Sequence, residues 1–400
     1  MATALYLDTA RLGRMHPSAL AVARDFDRLC SSEGGSPLVE RLIRAGSADW
    51  PASLRRRYPG LAGWGGLDAL KSSLRAVAGV PDDADVHLAG RSGVLMRLVA
   101  RAMFRRCRRA LLTDLEWPAH LAVLESERRR AGRAAIFLPV RDRIFWDGMD
   151  SGELAATVAD EYRTRGCDGL FLTAVSHDGV RFPLGDLAKA LAFLPSPRFV
   201  AIDAAQALGH APAADFPCDA LLAGGHKWLR SGRPLAMAFA PRGGSRGLIR
   251  AIAGEMESDG ELDDPLLGMS RQLGDGTPRP YGATAEPSGL LCTAAAITGG
   301  PPGQDGSFPT LIENASALAS ATTGWRPVVP TSALRSGILL LQATRERIRD
   351  IPPHRLRCSF QRRGLALTAY DGGVIRLSMP PRPWRDGDLD LVRSLLRRVQ

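Results

Sequence analysis

Short apolar runs alternate with helical patterns over residues 85–240. The apolar runs predict strands at 110–113, 135–140, 169–175, 198–202, 219–223 and 235–240. Helical spacing falls between them, with segments at 118–131, 151–165 and 184–194. Continuous apolar strands that alternate with helices are typical of a parallel sheet covered on both faces. The pattern therefore predicts an α/β fold with a mostly parallel sheet sandwiched by helices.

Residues 93–106 have the clearest amphipathic pattern. One face of this predicted helix carries arginines, and the other is apolar, with Val94, Leu95, Leu98, Val99, Ala102 and Met103. Arg91, Ser92 and Gly93 stand at its start. Unpaired backbone N–H groups and the positive end of the helix dipole make such a start a suitable site for a phosphate group.

The pattern changes after the Gly- and Pro-rich stretch at 299–309. Short strands are predicted near 337–342, 365–369 and 373–378, followed by a helix at 387–399. We expect an N-terminal segment that packs with the small domain (1–25), a large domain (26–298) and a small C-terminal α+β domain (310–400).

Length and composition place the chain among globular proteins. Its 400 residues exceed one small domain, since ~150 residues per domain is the usual size. The hydrophobic share of 45% and the charged share of 24% exclude a mostly disordered chain. No apolar run reaches the ~18 residues of a membrane span, and Asp8 and Arg11 come too early for a secretory signal. We expect a soluble, cytoplasmic protein with no membrane partner.

The net charge of +10 comes almost wholly from arginine, because the chain has only three lysines, Lys71, Lys189 and Lys227. The arginines are interleaved with acidic residues, and no zinc-finger, helix-turn-helix or RNA-binding signature appears. Nucleic acid is therefore not an expected partner. The six cysteines are scattered without a CxxC pair, which argues against a disulfide framework or a metal site.

Two predicted strands end in residues that can carry chemistry. The strand at 198–202 runs into Asp203, with Gln206 shortly after it. The strand at 219–223 runs into two glycines and then His226 and Lys227. Ligands of open α/β sheets bind at the carboxyl ends of the strands, so a carboxylate and an amine are expected together at this edge.

These segments resemble the class V aminotransferase superfamily of fold-type I pyridoxal 5'-phosphate (PLP) enzymes. That group includes cysteine desulfurases, kynureninase, isopenicillin N epimerase and a hercynylcysteine C–S lyase. Its pattern D-x-A-Q … (S/G)-x-H-K-W-L is present here as Asp203, Ala205, Gln206, Gly225, His226, Lys227, Trp228 and Leu229. The likeness extends from Tyr6-Leu7-Asp8 to the segment around Arg376.

The resemblance implies a role for each matching residue at the cofactor. Lys227 would form the Schiff base with PLP and then carry protons at Cα. Asp203 would face the pyridine nitrogen and keep the ring protonated, and Gln206 would bind the phenolic oxygen. His226 would bind the phosphate or orient the lysine turn. A surface lysine and a strand-end turn aspartate are the alternatives for the first two.

Further contacts are implied around the ring and the phosphate. Arg91, Ser92 and Gly93 match the family's phosphate loop in part, since the familiar glutamate is Val94 here. Trp117 would stack on the ring where relatives often have histidine, which leaves proton transfer to Lys227. A structural role is the alternative for Trp117. His177, which follows Ser176, would contact the cofactor oxygen.

The resemblance also implies one residue that binds the substrate and one that contacts the neighbouring subunit. Arg376 matches the C-terminal arginine that holds the substrate α-carboxylate, for which a guanidinium fork is well suited. Thr284 matches a threonine that reaches the phosphate of the neighbouring subunit, which implies a homodimer with composite sites. The substrate side chain is not readable from the sequence, and the candidate pocket liners are Arg11, Trp64 and Tyr281.

The cysteine pattern narrows the reaction. The segment 367–373 lacks the nucleophilic cysteine of desulfurases, and Cys358 falls in a strand-like run at 356–360, where a structural thiol is expected. The leading prediction is β-elimination from an S-substituted cysteine by a C–S lyase, in bacterial thiol metabolism or antibiotic biosynthesis. Decarboxylation-coupled oxidative deamination, transamination and epimerisation are alternatives within the same chemistry. A non-catalytic binding module is the alternative outside it.

Overall fold

The computed structural model describes residues 5–34, 36–212, 216–274, 284–300, 307–320 and 322–399. Its strands are β1 (Leu5–Tyr6), β2 (Asp85–Ala89), β3 (Arg109–Thr113), β4 (Ala134–Leu138), β5 (Gly169–Thr173), β6 (Phe199–Asp203), β7 (Ala220–Gly224), β8 (Ala236–Ala240), β9 (Trp325–Val328), β10 (Ile338–Ala343), β11 (Leu365–Ala366), β12 (Thr368–Tyr370) and β13 (Val374–Ser378).

The helices begin with four that precede the central sheet: α1 (Pro17–Ser32), α2 (Ser36–Ala45), α3 (Ala52–Arg57) and α4 (Leu67–Ala78). Those between its strands are α5 (Ser92–Arg106), α6 (Pro118–Arg130), α7 (Arg141–Phe145), α8 (Ser151–Thr164) and α9 (Leu184–Leu191). The rest are α10 (Gly243–Ser258), α11 (Pro265–Gly274), α12 (Ser288–Thr298), α13 (Phe308–Ala319), α14 (Glu346–Arg349), α15 (Pro353–Arg362) and α16 (Asp388–Arg398).

The central sheet has seven strands in the order β2-β8-β7-β6-β5-β3-β4. The pairs from β7 to β4 are parallel, and β8 runs antiparallel to both of its neighbours. Thr173 pairs with Asp203 and Asp203 with Leu222, so β5, β6 and β7 end side by side. The predicted α/β fold with a mostly parallel sheet is confirmed, and this shared end is where a ligand site is expected.

Apolar cores cover both faces of the sheet. On one face, helix α5 lies against five of the seven strands, β2, β3, β6, β7 and β8, and it packs with α6 and α10. Its apolar face is fully buried. On the other face, α8 and α9 cover one part and α4, α11 and α12 cover another. This two-sided burial explains why the strands are almost continuously apolar.

A four-stranded antiparallel sheet in the order β12-β13-β10-β9 forms the C-terminal part. Its core includes residues of α13, α15 and α16. Strand β1 pairs in parallel with β11, through Leu5 opposite Leu365, and Leu7 accepts a hydrogen bond from the N–H of Ser378. Helix α1 instead packs on α12. The N-terminal residues therefore contact the C-terminal part of the chain through β1 and Leu7, and a helix beside the central sheet through α1.

Two local expectations are wrong or incomplete. The run 356–360 is part of α15 and not a strand, because Leu356 and Phe360, one helical turn apart, are both buried while Cys358 is exposed. Strand β2 was not among the predicted strands, and it lies at an edge of the central sheet. The six strands that were predicted between residues 110 and 240 are confirmed within a few residues.

Candidate active site

Lys227 follows β7 at the carboxyl edge of the central sheet. Its side chain is largely buried, and burial lowers the pKa of its amine; the charge of Arg376 lowers it further, whereas Asp203 opposes the shift. The turn is fixed by close packing, since a β-carbon on Gly13 would lie 2.0 Å from the Lys227 carbonyl oxygen. The N–H of Gly13 also donates to the His226 carbonyl at 2.8 Å. The N-terminal segment therefore holds the lysine turn in place.

Asp203 ends β6, and each of its carboxylate oxygens has a close polar neighbour. Oδ1 accepts the N–H of Ala205 at 2.8 Å, and Oδ2 lies 3.0 Å from Nδ1 of His120. Burial alone would raise the pKa of Asp203, but His120, the Ala205 N–H and Lys227 lower it, and the pKa lies below its usual value. Asp203 is therefore a buried anion near the amine of Lys227.

His120 was not predicted as part of the site. It stands on α6 one turn after Trp117, which precedes the helix. The (i, i+3) spacing from Trp117 was a readable signal, because residues three apart share a helix face.

Gln206 is tied into the surrounding structure. Its Nε2 donates to the Ala10 carbonyl at 2.7 Å, and its Oε1 accepts the indole N–H of Trp228 at 2.8 Å. One amide N–H remains for another acceptor. The ring of His210 stacks on Trp228 at 3.7 Å, so the residue after Lys227 is clamped on two sides.

The start of α5 has the features of an anion cradle. The N–H groups of Gly90 and Arg91 donate to Asp264, each at 3.1 Å. Within the described structure, the N–H groups of Ser92, Gly93 and Val94 donate to no protein acceptor. A β-carbon on Gly93 would meet nothing within 4 Å, so the space beside this residue is open.

His226 has a buried Nδ1 that makes no hydrogen bond to the described residues. Burial, together with the adjacent Lys227, lowers the pKa of His226 to about 4. The free nitrogen of a neutral imidazole can donate a hydrogen bond to a bound group or accept one from it, depending on the tautomer.

Three aromatic rings contact one another in a row, and the charge of Lys227 acts on the middle one, His177. Trp117 is 43% exposed, and its ring meets His177 edge-on with centroids 5.0 Å apart. His177 in turn meets the ring of Tyr370 at 6.3 Å. Burial lowers the pKa of His177, and its Nδ1 is buried without a hydrogen-bond partner among the described residues. Trp117 therefore has an accessible ring surface next to His177.

Arg376 lies on β13 and is held from several sides. Nη1 donates to the His177 carbonyl at 3.0 Å and Nη2 to Thr368 Oγ1 at 3.3 Å, while Asp8 Oδ1 lies 4.0 Å from Nη2. Its Nε is buried and has no hydrogen-bond partner in the described part of the chain. Asp8 accepts the hydroxyl of Thr368 at 2.5 Å, and burial raises the pKa of this carboxyl.

Other predicted residues lie apart or are not described. Thr284 is exposed, as are the side chains of Arg91 and Arg11. Trp64 is not a pocket liner, because it is buried in an apolar core and donates to the Leu42 carbonyl at 2.7 Å. Tyr281 lies outside the described residues.

The geometry combines an amine of lowered pKa, a buried anion, a guanidinium and a set of unsatisfied N–H donors. An aromatic cation that carries a phosphate and a carbonyl would complement these groups. Over the described residues, no helix is long and apolar enough to cross a membrane, and no group of three His, Cys, Asp or Glu residues could hold a metal ion.

Comparison with known proteins shows the fold. No protein-family model and no curated protein matches the chain. Among solved structures, an aspartate aminotransferase of subgroup IV from Thermus thermophilus is 17% identical, with a TM-score of 0.62 over 99% of this chain and 100% of that chain. The cysteine desulfurase CsdA from Escherichia coli is 14% identical, with a TM-score of 0.67 over 98% of this chain and 94% of that chain.

A third similar structure is the cystine C–S lyase C-DES with its product cysteine persulfide, 16% identical, with a TM-score of 0.65 over 98% of this chain and 96% of that chain. The predicted fold type is thus confirmed over almost the whole chain. The three matches do not single out the isopenicillin N epimerase branch.

Proposed function

We propose that the protein is a PLP-dependent enzyme that acts at Cα and Cβ of an amino acid, with Lys227 as the cofactor-binding lysine. The observation that carries the proposal is the combination of a largely buried Lys227 amine of lowered pKa with the buried Asp203 anion at the carboxyl edge of the sheet. A lysine of lowered pKa is a better nucleophile at neutral pH because more of it is uncharged. The fold supports the same conclusion, since C-DES in a similar structure carries glycine covalently linked to its PLP cofactor.

The residues present fit this cofactor. The N–H groups of Ser92, Gly93 and Val94 and the unsatisfied His226 Nδ1 would hold the phosphate. Asp203, kept anionic by its lowered pKa, would hold the ring nitrogen, and the remaining N–H of Gln206 would reach the phenolic oxygen. When bound, PLP withdraws electrons from the amino acid Cα.

Trp117 and His177 would contact the cofactor, with the accessible Trp117 ring stacking on the pyridine. Arg376 would bind the α-carboxylate, through N–H groups beyond those given to His177 and Thr368. Lys227 would take the Cα proton, since Trp117 has no basic nitrogen and the carboxyl of Asp203 is held by its own partners.

The reaction proposed is β-elimination of an S-substituted cysteine. An S-substituted cysteine and water would yield a thiol, pyruvate and ammonium, with loss of the Cα proton and cleavage of the Cβ–S bond. Persulfide chemistry is not part of the proposal, because Cys358 is exposed on α15 and the segment 367–373 has no cysteine. The cystine C–S lyase among the similar structures supports elimination, at the level of shared fold.

Covalent trapping tests the cofactor. The purified chain is incubated with PLP, reduced with borohydride and digested, and the modified peptide is sequenced by mass spectrometry. We expect a single pyridoxyl group on Lys227, lost in Lys227→Ala and kept in the matched variant Lys189→Ala, whose lysine is exposed and paired with Asp186. An adduct on Lys189 or no adduct at all would overturn the proposal.

Product analysis tests the reaction. The PLP-loaded enzyme is given S-alkylcysteines, and thiol, pyruvate, CO2 and aldehyde are measured with and without a 2-oxo acid. Thiol together with pyruvate supports elimination. CO2 without thiol rejects it in favour of oxidative decarboxylation, and turnover that requires the 2-oxo acid rejects it in favour of transamination.

A homodimer with composite sites is a further part of the proposal. Thr284 is exposed, which leaves it accessible for a contact with a neighbouring subunit's phosphate. Light scattering should give twice the chain's mass, and Thr284→Ala should weaken PLP binding. A monomer with full PLP affinity would contradict this part alone.

A further inference from the structure

A cavity of about 1100 Å³ lies against the central sheet, apart from the residues that would contact the cofactor. Ile202 of β6 and Leu221 of β7 line it. The residues that follow them, Asp203 and Leu222, border a different, small cavity beside Ser92. Because successive residues of a strand point to opposite faces of a sheet, the large cavity lies on the face opposite to the Asp203 side chain.

The large cavity is elongated across the sheet. Its lining runs from Pro241, which follows β8, to Ala174, which follows β5. These strands lie on either side of the β7-β6 pair, so the cavity crosses three strand spacings, roughly 14 Å in all. Its volume is close to the upper end of the range for small-molecule sites, roughly 300–1,000 Å³.

Leu221 shows that apolar packing is incomplete at this cavity. It lies on β7, which has a paired strand on each side, yet the residue is only partly buried. Three apolar cores meet at this leucine: one under α1, α4 and α12, one under α8 and α9, and a small one around Trp228. An apolar ligand in the cavity would therefore gain hydrophobic contacts with all three. The other apolar residues of the lining include Val175, Phe182, Ala207, Leu208 and Phe216.

Arg181 is the charged lining residue that lacks a counter-ion in the described structure. It is partly buried, and its guanidinium carbon lies 5.2 Å from the centre of the Phe308 ring. The guanidinium makes no hydrogen bond or ion pair with the described residues, whereas the other charged side chains of the lining are paired. Arg242 lies 3.1 Å from Asp219, and Asp186 lies 3.3 Å from the lysine one turn after it. The described lining thus carries one unpaired positive charge.

We propose that this cavity binds a straight-chain carboxylate, with the carboxylate on the Arg181 guanidinium and the alkyl chain along Leu221 towards Pro241. Arg181 pairs with Val175, just beyond β5, so it stands at one end of the elongated cavity. A planar guanidinium binds both oxygens of a carboxylate, and partial burial strengthens such a pair.

The charge of the lining separates this ligand class from a cationic one. An alkylammonium ion would offer the same apolar chain but would bring a second positive charge to Arg181. The site does not depend on the proposed function, because it shares no residue with the contacts proposed for PLP.

Calorimetric titration tests the site. The full chain, after PLP loading, is titrated with butanoate, hexanoate, octanoate and decanoate, and with decylamine as the cationic counterpart. Arg181→Gln removes the charge, and Arg55→Gln, at an exposed position of α3, is its matched control. Leu221→Trp fills the cavity from β7, and Ala211→Phe fills it from the turn after β6. Circular dichroism verifies that each variant is folded.

We expect one decanoate site per chain, with an affinity that rises about fourfold for each added methylene group. Decylamine should bind about tenfold more weakly than decanoate or worse. Arg181→Gln should weaken decanoate binding about tenfold without weakening that of decylamine, and Arg55→Gln should match the parent. The two filling variants should lose most of the gain per methylene group, because the chain no longer fits.

No saturable binding of decanoate would overturn the inference while leaving the proposed function intact. Equal binding of decanoate and decylamine, or an affinity that neither Arg181→Gln nor the filling variants change, would also overturn it, since it would indicate non-specific association with the surface. A chain that takes up no PLP yet binds decanoate with this selectivity would overturn the proposed function alone.

Discussion

Lys227 and Asp203 lie at the ends of neighbouring strands of one sheet, whereas Arg376 lies within an antiparallel sheet and is held by distant parts of the chain. We call Lys227, Asp203, Gln206, His226 and the start of α5 the lysine half of the site. Arg376, Asp8, Thr368, His177 and Tyr370 form the arginine half. Strand order brings the first half together and the N-terminal segment holds its lysine turn, whereas the second half depends on how two sheets and the N-terminal segment meet.

The two halves differ in the elements that supply their contacts, and this difference separates chemistry from substrate binding. In the lysine half, strand ends carry the two reactive side chains, the Lys227 amine and the Asp203 carboxylate, and backbone N–H groups add donors around them. In the arginine half, every contact of Arg376 comes from an element outside β13. We therefore expect substitutions in the lysine half to abolish chemistry and those in the arginine half to alter substrate binding.

The largest effect is expected from Asp203→Asn, which removes the anion from the lysine half. Because a neutral amide cannot keep the ring nitrogen protonated, turnover of the proposed amino acid substrates should fall about 10²- to 10³-fold, in kcat rather than KM. Steady-state kinetics measures this, with borohydride trapping to verify that Lys227 still binds PLP. A kcat near that of the parent would contradict the role given to Asp203.

Arg376→Lys tests the arginine half, with a smaller expected effect. Lysine keeps the charge but loses the planar fork, so KM for the substrate should rise about 10- to 100-fold while kcat changes less. The control substrate is the corresponding amine without an α-carboxylate, whose KM should not change. If both substrates lose equally, Arg376 supports the fold and does not bind the carboxylate.

His210 connects Gln206 of the lysine half to the backbone just before β10 of the C-terminal sheet. Its Nδ1 contacts the Gln206 carbonyl at 2.7 Å, and its Nε2 accepts the N–H of Gly337, just before β10, at 2.9 Å. Burial lowers the pKa of His210 to about 4. The unfolded chain binds this proton near pH 6.5, so the free energy of unfolding should fall as pH drops from about 6.5 to 4.

His210→Gln should remove roughly 2 kcal/mol of that fall, because the glutamine does not titrate. Urea unfolding at several pH values measures the slope, and the control His354→Asn, at an exposed histidine, should keep the slope of the parent. His87 and His226 have pKa values lowered to about 4 as well and contribute equally in both chains. An unchanged slope in His210→Gln would show that protonation of His210 is not coupled to unfolding.

The sequence was most informative where strand order decides position. Lys227 and Asp203 could be placed together because parallel strands that are neighbours end at the same edge. Asp264 could not be predicted as the acceptor for Gly90 and Arg91, since it comes from the segment before α11, far along the chain. Trp64 was misplaced because its indole satisfies its N–H inside an apolar core, which composition does not reveal.

Helix and strand periods explain the remaining errors. Leu356, Cys358 and Phe360 alternate with polar residues and fit a strand, yet Leu356 and Phe360 also share one face of a helix. The prolines before them favour the helix, since proline is well tolerated in a first turn. His120 was missed for a different reason: its link to Asp203 is tertiary, and only its spacing from Trp117 was visible.

The smallest effect is expected at Trp117, which lies between the two halves and contacts His177. Trp117→Ala should weaken PLP binding about three- to tenfold, the usual worth of an aromatic pair. Trp117→His should restore most of the affinity, because a planar ring is retained. The control is Trp146→Ala, whose tryptophan is 51% exposed and contacts Arg326. Equal binding in Trp117→Ala and Trp146→Ala would mean that Trp117 is a structural residue, and the ring would then be held by the lysine half alone.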